Sequence, residues 1–89
     1  MSIHEKAQEL LAIRTALGFS QSRMAHEIDI SLRDYQAFEW GETELPDIYL
    51  RAIERIAFLY AMRHNNPMLV PPNLRTEAVQ FARMVGTSS

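Results

Sequence analysis

Between Gly18 and Pro46 the chain is punctuated too closely for anything but short helices. Gly18 is a natural helix stop, because the residue after a helix often needs positive φ. Ser20 and Ser31 sit where a hydroxyl can accept from a free N–H in a first helical turn. This punctuation predicts a helix over 21–28, with Met24, Ala25 and Ile28 facing inward. Ala25 is small and lets the next helix cross closely. Asp29 falls at the turn, and aspartate tolerates the left-handed conformation better than most residues, though less well than glycine. A third helix over 32–40 follows, with Tyr35 and Phe38 as inward anchors and Gly41 as its end. Asp34 suits the positive N-terminal end of that helix.

The flanks read as helices too. Over 2–17, Ser2 and Glu5 have capping-box spacing, and Ala7, Leu10, Leu11, Arg14 and Leu17 recur at helical intervals. Residues 43–46 form a loop, and Pro46 and Asp47 open a long helix over 47–64. Ile48, Ile53, Ile56, Ala57 and Tyr60 are among its apolar positions. Asn65, Asn66 and Pro67 stop it. The prolines at 67, 71 and 72 predict an extended connector over 67–73. A last helix over 74–85 carries Ala78, Val79, Phe81, Ala82 and Val85, and Gly86 ends it. The expected organisation is a body over 1–64 and a proline-rich connector with a C-terminal helix over 65–89.

A chain of 89 residues makes one domain with a modest core, and small helical domains often gain stability by dimerising. It has no cysteine, which excludes disulfides, thiol nucleophiles and thiolate metal sites. His4, His26 and His64 are scattered and do not form an i, i+4 metal-binding pair. No glycine-rich phosphate loop or nucleophile elbow appears, so no enzyme, cofactor, metal or small-molecule ligand is expected. No signal segment or apolar run of about 20 residues is present, so the expectation is a soluble cytoplasmic protein.

The pieces between residues 10 and 60 resemble the lambda-repressor-like, Cro/CI-type (XRE) helix-turn-helix family. They are Arg14, then Leu17-Gly18-Phe19-Ser20-Gln21, Met24-Ala25, Ser31, Phe38-Glu39-Trp40-Gly41 and Pro46. The resemblance implies an all-α, lambda-repressor-like DNA-binding domain of about five helices, with the helix-turn-helix at the second and third. It also implies an Arg14–Glu39 ion pair locking the first helix to the third. In such proteins the third helix enters the major groove. By resemblance its groove-facing residues are Ser31, Leu32, Arg33 and Ala37, with Gln36 beside them. The Arg33 fork matches guanine O6 and N7; the alternative is a solvated arginine paired with Asp29. Leu32 and Ala37 offer apolar contact to a thymine methyl, and Gln36 an amide for adenine or phosphate. Gln21, Ser22 and Arg23 are the expected phosphate contacts, since backbone N–H groups at a helix start also favour an anion. The expected partner is double-stranded DNA carrying an inverted-repeat operator, bound by a homodimer acting as a nucleoid-associated repressor or autoregulator.

Charge runs against that expectation. The formal net charge is −2, whereas phosphate contacts usually demand basic protein. Residues 20–47 hold Arg23 and Arg33 against Glu27, Asp29, Asp34, Glu39, Glu42, Glu44 and Asp47. Arg51 and Arg55 lie one turn apart further on and either offset these carboxylates or pair with Glu54 or a partner chain. The alternative reading is the same fold used as a protein-interaction module, antitoxin-like, with weak or no DNA binding. The C-terminal apolar residues Met68, Leu69, Val70, Val79, Phe81 and Ala82 also carry two readings: packing on the chain's own core, or a dimer interface.

Overall fold

The computed structural model describes residues 1–88. It contains α1 (Ile3–Leu17), α2 (Gln21–Glu27), α3 (Leu32–Glu39), α4 (Asp47–Arg63) and α5 (Pro72–Ser88), with a 3-10 turn at Pro67–Leu69. The fold is all-α, and no strand occurs among the described residues. Each of the first three helices starts on a serine whose hydroxyl accepts a backbone N–H three residues on. The pairs are Ser2 with Glu5 at 3.1 Å, Ser20 with Arg23 at 3.0 Å and Ser31 with Asp34 at 3.1 Å. Gly18 and Gly41 follow α1 and α3 at φ +72° and +74°. Asp29 adopts φ 59° between α2 and α3, so the tight turn there uses an aspartate in the left-handed region.

Leu10, Ile13, Met24, Tyr35, Leu45 and Ile53 form the centre of the core. Phe19, Ala25, Ile28, Phe38, Leu50 and Ala57 close around them. The inward phase of two helices differs from the sequence pattern. Leu11 is 44% exposed while Ile13 is buried, and Ile48 is 71% exposed while Leu50 is buried. Both helices have apolar residues on more than one face, so the pattern alone does not choose which one packs.

The C-terminal part departs further. The connector is not extended throughout, because Pro67 and Pro72 each open a helical turn where a missing N–H costs nothing. Gly86 does not end α5, which continues to Ser88. The six apolar residues with two readings divide. Val70 is 3% exposed and packs on the chain's own core, so it is removed from any surface interface. Leu69 is half-buried, while Met68, Val79, Phe81 and Ala82 are exposed. None of the described α5 residues is buried. Its first turn is tied back by Arg75, which donates from Nε to the Val70 carbonyl at 2.9 Å. The molecule is correspondingly elongated, at 47 × 27 × 18 Å.

Candidate nucleic-acid interface

Four side chains brace α3 against α1 and α2. Arg14 Nε donates to Glu39 Oε2 and Arg14 Nη2 to Glu39 Oε1, both at 2.8 Å. Arg14 Nη1 also donates to the Phe19 carbonyl at 2.9 Å. Gln21 Nε2 donates to Glu39 Oε1 at 3.3 Å, and Gln36 Nε2 donates to Gln21 Oε1 at 3.1 Å. A single chain of polar contacts therefore runs from α1, through the end of α3 and the start of α2, to the middle of α3. Side-chain exposure is 19% for Arg14 and 5% for Glu39, so each charge depends on the other.

Burial works to raise the Glu39 pKa, but Arg14, with Tyr35 and Gln21 beside it, holds the carboxyl below its ordinary value. Arg14 is raised by its bonds to Glu39 against its own desolvation. Tyr35 lies alongside. Its hydroxyl is fully enclosed and has no hydrogen-bond partner among the described residues. Burial, then the adjacent Glu39 charge, pushes that hydroxyl well above the usual tyrosine range.

This bracing leaves the first turn of α3 outward. Ser31, Leu32 and Arg33 are exposed, and Leu32 is 42% exposed despite being apolar. The Arg33 side chain forms no hydrogen bond or ion pair among the described residues, so the pairing with Asp29 is absent. Gln36 and Ala37 are half-buried on the same helix. Trp40 closes it at 59% exposed.

The three residues expected at phosphate lie differently. Ser22 is exposed. Gln21 is half-buried, with its carbonyl oxygen and one amide hydrogen engaged inside the protein. Arg23 is exposed but occupied: Nε donates to Glu27 at 2.8 Å, Nη2 donates to the Tyr60 hydroxyl, and the guanidinium lies 4.5 Å over the Phe19 ring. An anion reaching Arg23 competes with Glu27 directly.

Lys6 is the residue that the sequence reading passed over. It is 8% exposed, yet charged. Its Nζ donates to the Leu45 carbonyl at 3.0 Å and pairs with Asp47 at 2.9 Å and Glu44 at 3.4 Å. Two of the three carboxylates after α3 are thereby partly neutralised from within the chain. Hydrogen bonding to Asp47, offset by desolvation and aided by Glu44, raises the Lys6 pKa, and Lys6 lowers that of Asp47. A signal was present. Residues 6, 10, 13 and 17 fall on one helical stripe with Leu10 and Ile13, the most buried residues of α1.

Comparison with protein-family models, curated proteins and solved structures finds no match. The reading of this surface therefore rests on its own geometry. No metal-binding group of three or more ligands occurs among the described residues, and no described helix is long and apolar enough to cross a membrane.

Proposed function

We propose that this chain is a sequence-specific double-stranded DNA-binding regulator of the lambda-repressor-like, Cro/CI-type class. In this reading α2 and α3 form the helix-turn-helix, and α3 enters the major groove. Arg33 reads a guanine, Ser31 and Leu32 meet adjacent base edges, and Ser22 with the start of α2 contacts phosphate. The protein acts without catalysis or cofactor, as a homodimer on an inverted repeat whose half-sites lie about 34 Å apart. It represses by occluding a promoter in the cytoplasm.

The observation that carries this reading is the unpaired Arg33 on the exposed first turn of a helix braced from behind by Arg14, Glu39, Gln21 and Gln36. Readout needs a rigid helix and an unoccupied donor fork, and both are found at the same place. Lys6 supports it further by offsetting the Glu44 and Asp47 charges.

The test is selection of bound sites from a random double-stranded DNA pool at low salt, wild type beside Arg33→Ala. An enriched inverted repeat, lost in the variant while its circular dichroism is unchanged, supports the reading. A folded wild type that enriches nothing refutes it. The second reading, a protein-interaction module, is favoured by the exposure of Trp40 and Ile48, at 59% and 71%, around an acidic segment. It predicts no DNA protection at low salt and a complex lost on Trp40→Ala.

A further inference from the structure

α4 and the first turns of α5 enclose an apolar groove of about 400 Å³. Its walls are Phe58, Ala61 and Met62 of α4, the buried Val70, and Ala78 and Val79 of α5. That volume lies within the range of small-molecule sites, which combine apolar walls with a few placed polar groups. Here the polar groups are Arg75, Asn65 and Asn66. Arg75 is half-buried, and it is the one charged residue among the described residues that line the groove. No carboxylate lines it, although the chain as a whole carries a net charge of −2. An apolar hollow whose one charge is a guanidinium is matched to an anion with an apolar body.

The guanidinium is anchored but not used up. Arg75 Nε donates to the Val70 carbonyl at 2.9 Å. Nη1 donates only to the Met68 sulfur, at 3.2 Å, and Nη2 has no partner among the described residues. A thioether is a weak acceptor. A carboxylate can therefore take both Nη groups in two parallel bonds and displace one weak contact in doing so. Glu9 lines a neighbouring hollow together with Arg75 but forms no ion pair with it. Asn66 uses Oδ1 to accept from the Met68 N–H at 3.1 Å, which leaves its Nδ2 as a further donor in the groove. From this we infer that the groove binds a small monocarboxylate with an apolar body, its carboxylate on Arg75 and its body between α4 and α5. None of the described α5 residues is buried, so such a ligand adds apolar contact where the chain supplies little and steadies α5 against the body. The inference goes beyond the proposed function and holds whether or not α3 enters DNA.

The experiment is titration of the full chain, without DNA, with sodium octanoate, read by amide NMR. Sodium acetate and 1-octanol are the companion probes, one lacking the apolar body and the other the charge. Octanoate should shift the amides around Phe58, Met62, Arg75 and Val79 saturably, with a Kd on the order of 1 mM or below for a ligand of that size. Octanol and acetate should each bind at least ~10-fold more weakly, the first through loss of the charge-assisted bonds. Arg75→Gln should bring octanoate level with octanol. That variant also loses the Val70 tie, so Ala78→Phe is tested beside it. It fills the groove, keeps Arg75, and should abolish saturable binding with unchanged circular dichroism. No saturable shift by ~10 mM octanoate, equal binding of octanoate and either companion probe, or binding indifferent to Ala78→Phe overturns the inference. Groove amides that shift with protein concentration and not with octanoate show a second copy covering the groove, and overturn it as well.

Discussion

Replacing Glu39 by glutamine keeps the shape of the α3 brace and removes its charge. The carboxylate accepts two hydrogen bonds of 2.8 Å from Arg14 and a third from Gln21. An amide offers one acceptor and turns a donor toward an Arg14 donor. Arg14, only 19% exposed, keeps the Phe19 carbonyl and at most one bond to the amide oxygen, and its charge is left uncompensated. Breaking a buried pair costs about 3–5 kcal/mol, and the residual exposure of Arg14 places this pair near the lower bound, at about 3 kcal/mol. At this chain length that loss lowers the melting temperature by roughly 15 °C. Urea unfolding followed by circular dichroism at pH 7 measures it. The double variant Arg14→Met/Glu39→Leu should be more stable than Glu39→Gln, since it leaves no stranded charge. The pH dependence follows from the lowered Glu39 pKa. Its contribution is fully present above the unfolded carboxylate pKa and is lost as pH falls through the lower folded value, so wild type and Glu39→Gln should converge in acid. A loss below about 1 kcal/mol at pH 7, or a double variant less stable than the single one, refutes the argument that the two charges depend on each other.

Asp29→Gly removes a left-handed strain of about 1–2 kcal/mol at the cost of some unfolded-chain entropy, so a gain of about 0.5–1 kcal/mol in urea unfolding is expected; a loss means that the Asp29 side chain contributes to the turn. Tyr35→Phe deletes an enclosed hydroxyl that makes no hydrogen bond of full geometry but sits beside the Glu39 carboxylate and lowers its pKa, so gain and loss offset and stability should change by less than about 1 kcal/mol. A larger destabilisation would show that the hydroxyl is satisfied in solution. Lys6→Met should leave the helices formed but accelerate amide exchange across residues 42–47, because Leu45, Glu44 and Asp47 lose their shared donor; unchanged exchange would refute that clamp. Glu54 is raised by burial and by Glu9 and Glu77, so its ionised form opposes folding and stability falls as pH rises through its folded pKa. Glu54→Gln should therefore melt higher than wild type at pH 7, with the gap closing in acid, and equal melting at both pH values would exclude this contribution.

Much of the candidate interface can be read from residue order alone. Ser31 starts α3, Asp29 turns the chain before it, and Arg14 and Glu39 have their places on α1 and α3, all visible in the sequence. What cannot be read there is occupation. Arg23 and Arg33 look alike in a list of residues, yet one is held by Glu27, Tyr60 and Phe19 and the other by nothing among the described residues. Gln21 and Gln36, fifteen positions apart, reach each other only because α2 and α3 cross.

The serine caps, the left-handed residues at 18, 29 and 41, and the number and order of the helices through α4 follow from local chemistry. Each depends on dihedral preference and on hydrogen bonds within three or four residues, and so is written in short stretches of chain. The choice of buried face does not. Ile13 over Leu11, Leu50 over Ile48, the enclosure of Val70 and the burial of a charged Lys6 were all decided by packing among α1, α4 and the turn at Pro67–Leu69. Those outcomes depend on which residues far apart in sequence remove each other's apolar surface from water, and on which carboxylates come within reach of a buried ammonium group, quantities that exist only once the helices have met.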